Sequence, residues 1–110
     1  MLYILDITTE LPKLNFTYKD GDYLKYLKNQ FNPNDLNILM DTIVDYRKDM
    51  LFYKRTSTNS ECTTTYIFKD EISRHSVLNF VEEFYSDKNI PQKYAVSDFD
   101  MSVKEYIFLK

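Results

Sequence analysis

Between Asn32 and Lys69 the hydrophobic pattern changes period once, and that change commits the chain to a mixed fold. Asn32 suits an N-cap, Pro33 the first helical position, and Asp35 the first turn, where the positive end of the helix dipole favours an acid. Leu36, Leu39, Met40, Ile43 and Val44 then recur at helical spacing, which predicts a helix over 33–49. From Met50 to Arg55, and again from Cys62 to Lys69, the pattern becomes the alternation and β-branched content of strands. The spacing predicts a hairpin around the polar, mobile loop Thr56 to Glu61.

The flanking sequence adds elements of both kinds. Met1 to Thr8 is apolar on both faces, as strands inside a sheet are. Leu14, Phe16 and Tyr18 alternate with polar residues and predict a half-exposed strand, closed by the turn Asp20-Gly21-Asp22. Tyr23, Leu24, Leu27 and Phe31 predict a short helix. Ser73 reads as the N-cap of another, with Ile72 packed on Val77 as a hydrophobic staple. Its apolar face is Val77, Leu78, Phe80, Val81, Phe84 and Tyr85, and Lys88-Asn89 with Pro91 ends it. Tyr94 to Val96 suggests a short strand, and Val103 to Leu109 reads as another strand, greasy on both faces in its second half. Strands grouped by hairpins favour an α+β domain: a mainly antiparallel sheet of about five strands with three helices packed on one face. The two terminal strands are expected at its centre.

A chain of 110 residues is expected to form one domain, 1–110, large enough for a real core. Gly21 is the only glycine, against an average usage of about 7%. That leaves no phosphate-cradling loop and no dinucleotide fingerprint. An excess of Lys, Asn, Ile, Tyr and Phe fits the base-composition bias of a low-GC bacterium or its phage. The formal net charge of −3 argues against a general nucleic-acid-binding face. Cys62 is the only cysteine and cannot form an internal disulfide, which points to a reducing, cytoplasmic setting. No targeting signal and no apolar run of membrane-spanning length is present, so no membrane association is expected.

The search for chemistry is short. His75, the only histidine, leaves no histidine pair for a metal, and a first-turn histidine on a helix faces solvent by default. Cys62 alternates with Thr64, Tyr66 and Phe68 and reads as a small buried apolar group rather than a nucleophile. No catalytic residue, metal or cofactor is expected, and the chain is not expected to be an enzyme.

Two charged features remain. Asp41, Asp45 and Asp49 recur every fourth residue on the helix side opposite Leu39 and Ile43, where they repel one another. Such a stripe is a plain solvated face relieved by Arg47 and Lys48, a divalent-cation site, or a surface kept acidic for a basic partner. Arg47, Lys48, Lys54 and Arg55 flank Phe52 and Tyr53, a basic cluster with interleaved aromatics that could stack bases and pair phosphates.

Compact, acidic, aromatic-rich and without catalytic motif, the chain is similar in type to the small inhibitors and immunity proteins that phages and mobile elements encode, anti-CRISPR and anti-restriction proteins among them. That likeness is one of character and carries over no residue. The functional expectation is a non-catalytic protein-binding module. It would occlude a larger protein, such as a host nucleic-acid-handling enzyme with a basic cleft, through Asp41, Asp45 and Asp49, with Tyr46, Phe52 and Tyr53 as anchors. The alternative is a nucleic-acid-binding accessory protein using Arg47, Lys48, Lys54 and Arg55. The sequence leaves the oligomeric state open.

Overall fold

A computed structural model describes residues 1–10, 33–58, 60–87 and 92–109. The expected strand at 14–18, the turn at 20–22, the helix at 23–31, the Asn32 cap and the helix stop at 88–91 lie outside them. The described elements are β1 (Leu2–Glu10), α1 (Pro33–Asp45), a 3-10 turn (Arg47–Asp49), β2 (Met50–Ser57), β3 (Glu61–Phe68), α2 (Glu71–Asp87), β4 (Gln92–Phe99) and α3 (Val103–Leu109). They form an α+β fold whose described strands make one antiparallel sheet, ordered β2-β3-β1-β4. None of the described helices is long and apolar enough to cross a membrane.

The hairpin forms as the alternation predicts, and its strands run further into the loop than expected. Thr58 closes the turn: its N–H donates to the Glu61 carbonyl at 2.8 Å, and its Oγ1 accepts the Ser60 and Glu61 N–H groups. β1 is central, as its two-faced apolar character implies. Register puts Leu5, Ile7 and Thr9 on the same face as Tyr66, Thr64 and Cys62. All six are buried, and α1 and α2 cover this face through Leu39, Val77, Val81 and Tyr85.

The far face carries two kinds of surface. Toward one end lie Leu2, Ile4, Ile67 and Phe99, lining an apolar cleft with Tyr106 and Leu109 of α3. Toward the other, hydroxyls pair across strands: Thr8 Oγ1 with Thr63 Oγ1 at 2.9 Å, and Thr65 Oγ1 donating to Asp6.

Three local expectations are corrected. First, Val103–Leu109 is a helix, so it cannot be a central strand, and among the described strands β4 is the outermost on its side. The Ser102 Oγ accepts the Glu105 N–H at 3.1 Å, and the Ser102 carbonyl accepts the Tyr106 N–H at 3.0 Å. Ser102 with Glu105 three residues on is a helix-start signature, and it outweighs the strand preference of the aromatic and β-branched residues that follow. The sheet's fourth described strand is instead β4, eight residues where only Tyr94 to Val96 was expected.

Second, α2 is capped by Asp70, whose carboxylate accepts the Ser73 N–H at 2.7 Å. Ser73 is therefore inside the first turn and buried, and Ile72 is 79% exposed, so no staple to Val77 forms. Next to it, Arg74 is buried beneath β4. Its guanidinium donates to the Ser97 carbonyl at 2.9 Å, pairs with Asp98, and lies 5.2 Å from the centre of the Tyr3 ring. This fixes α2 to β4.

Third, α1 ends at Asp45, short of Asp49. No basic residue occupies its last turn to complement the dipole there. The last carbonyls are taken by tighter bonds, Tyr46 N–H to Ile43 O and Asp49 N–H to Tyr46 O, both 3.1 Å. Met50 is then extended and opens β2.

Candidate interaction surface

The early end of α1 divides the acidic residues. Helical spacing sets Asn34, Asn37, Ile38, Asp41, Val44 and Asp45 on one side, and all six are exposed. Leu39, on the opposite side, is buried in the core, with half-buried Ile43 packed against it. Asp41 and Asp45 thus stand on an outer helix face, flanked by apolar Ile38 and Val44, which are 52% and 54% exposed. Asp49 does not join them. It is half-buried in the 3-10 turn, where its carboxylate shares the Ser73 hydroxyl proton with the Asp70 carboxylate, each at 3.1 Å, and its carbonyl accepts the Lys69 N–H at 2.9 Å. Its part is to anchor the turn to the start of α2.

The other expected site residues separate by strand geometry. Neighbours in a strand point to opposite faces. Tyr53 pairs with Tyr66 on the helix-covered side and is 48% exposed, its ring 5.6 Å from that of Tyr66. Phe52 pairs with Ile67 on the far face, and Lys54 with Thr65 beside it. Phe52 and Tyr53 therefore cannot serve one flat contact, and Lys54 cannot act with Arg55. Tyr46 is half-buried against the core and offers little free ring. Arg47 and Lys48 are exposed in the 3-10 turn.

The fold keeps two members of the expected basic cluster together and sets them among residues from other elements. Arg47 from the turn and Arg55 from β2 line one groove, about 270 Å³, together with Ile43, Val44, Met50, Tyr53 and Tyr66. The Arg55 guanidinium lies 5.6 Å from the centre of the Tyr53 ring. The groove has an apolar floor, aromatic walls and two cationic heads, and Val44 joins it to the outer face of α1. Ile38, Ile43, Val44, Met50 and Tyr66 were not assigned to a site by sequence reasoning, which gave Ile43 and Val44 to the apolar helix face and Tyr66 to a strand face. A helical wheel places Ile38 beside Asp41, which was the available signal; no local signal brings Met50 to Arg47.

The remaining candidates fall where expected. Cys62 is buried, with the Ser57 hydroxyl donating to its sulfur at 3.5 Å, and His75 is exposed on α2 beside the Asn79 amide. Comparison with protein-family models, curated proteins and solved structures finds no match to this chain.

Proposed function

We propose that the chain is a non-catalytic protein-binding module that occludes a surface of a larger protein, in the manner of the small inhibitors of nucleic-acid-handling enzymes. One observation carries the reading: the outer face of α1 combines two exposed carboxylates with two half-exposed aliphatic side chains. Aliphatic groups on that face supply area to bury, while Asp41 and Asp45 supply attraction and register toward a basic target. Rim charges act mostly on the association rate and its salt dependence.

The test is capture from an extract of cells that carry the protein, with the immobilised wild type and Asp41→Lys/Asp45→Lys side by side at low salt. The proposal expects a protein retained by the wild type and lost by the variant at equal thermal stability. Retention by both, or by neither, would count against it.

A second reading, nucleic-acid binding, is favoured by the shared groove of Arg47, Arg55, Tyr53 and Tyr66. Fluorescence anisotropy with single-stranded and duplex DNA separates the two. Direct binding that collapses with salt through counterion release would select the second.

A further inference from the structure

We infer that the outer face of α1 and the groove beside it are complementary to each other, and that the chain pairs through them with a second copy of itself. The convex half presents Ile38, Asp41 and Asp45; the concave half presents Arg47 above Ile43 and Met50; Val44 belongs to both. A patch that carries both halves is self-complementary, and a two-fold axis through it makes every contact twice. Asp41 and Asp45 of one copy then meet Arg47 of the other, and the reverse, while Ile38 and Val44 of each leave water.

Within one chain these charges are not used on each other. Among the described residues, ion pairs join Arg74 to Glu71 and Asp98, and Lys93 to Glu10; none engages Asp41, Asp45 or Arg47. Asp41 and Asp45, four residues apart, instead repel each other, and a cation from a second copy offsets that repulsion. The inference uses the same surface as the proposed function but does not depend on that function. Self-association can fail while another protein is still captured, and it can hold when none is.

A charge swap tests it, read by sedimentation velocity over a rising concentration series. The wild type is expected to shift from monomer to dimer. Asp41→Lys/Asp45→Lys should stay monomeric, because lysines then face Arg47, and Arg47→Glu should stay monomeric, because acids then face Asp41 and Asp45. An equimolar mixture of the two variants restores opposite charges at both copies of the contact, so a heterodimer should form. Thermal melting of each variant confirms that it is folded; a variant that is not is replaced by Asp45→Lys alone or Arg47→Ala. A wild type that stays monomeric throughout overturns the inference, as do variants that dimerise like the wild type or a mixture that does not associate. A wild-type monomer that still captures another protein through Arg47 assigns the groove to that protein instead.

Discussion

Replacing Phe68 should cost far more than replacing Phe80, although the two rings are equal in size and both belong to apolar patterns. Phe68 ends β3 between Tyr3 of β1 and Met50 of β2, and it is 0% exposed. Its ring stacks on Tyr66, centroids 5.9 Å apart, and the core cluster closes around it. Phe80 is half-buried on the flank of α2 and touches the core from outside, with Phe84 at 6.0 Å. Truncating a fully buried phenylalanine costs about 3–5 kcal/mol, the lost transfer energy plus a cavity that rigid strands cannot collapse. At Phe80 part of the ring already faces water and solvent can fill the space, so about 1–2 kcal/mol is expected. A domain of this size holds about 5–15 kcal/mol in total, so Phe68→Ala removes a large share. Urea unfolding of both variants measures this, provided the slope with denaturant stays that of the wild type. If Phe80→Ala is as damaging as Phe68→Ala, the core does not lie between β3 and α2 as described.

Other predictions follow from single contacts. Asp41→Asn/Asp45→Asn should change stability by less than about 0.5 kcal/mol, on the stabilising side, because only repulsion is removed. Asp49→Ala should cost about 1 kcal/mol by urea unfolding, a modest loss because the Ser73 hydroxyl keeps the Asp70 carboxylate, also at 3.1 Å, as its acceptor. Ser102→Ala should fray α3, seen as faster amide exchange at Glu105 and Tyr106 with the sheet unaffected. Burial, and then the charge of Glu82, pushes the Tyr94 phenol up to about 12 from 10.0. The unfolded chain therefore releases this proton first, and stability is lost as pH rises from 10 toward 12. Tyr94→Phe should flatten that alkaline limb of the melting temperature against pH and leave neutral pH unchanged.

Much of the fold was legible because burial imposes a period. β1 is greasy on both faces and is interior; β3 alternates, and its alternate residues Cys62, Thr64, Tyr66 and Phe68 are all buried. α3 was misread because a short apolar run such as Tyr106-Ile107-Phe108-Leu109 has no period of its own. The deciding information sat outside the run, in Ser102 and Glu105. The end of α1 was missed for a related reason. Asp49 continues the four-residue spacing, but the helix ends at Asp45 and a 3-10 turn carries Asp49 instead, a change of winding that the spacing does not show. At the site, strand alternation alone could have separated Phe52 from Tyr53. Arg47, Tyr53 and Arg55 were legible as one cluster; that Ile43, Val44 and Tyr66 line the same groove could not be read, since it depends on how the 3-10 turn sets α1 against β2.

The outer face of α1 competes with another exposed apolar surface, the end of α3, where Phe108 is 87% exposed. Amide hydrogen exchange on the complex captured by the wild type, compared with the chain alone at a concentration where it is monomeric, decides between them. Slower exchange across residues 38–48, with 99–109 unchanged, is the expected result. Protection confined to 99–109 would contradict the assignment of the binding surface to α1 and the groove beside it.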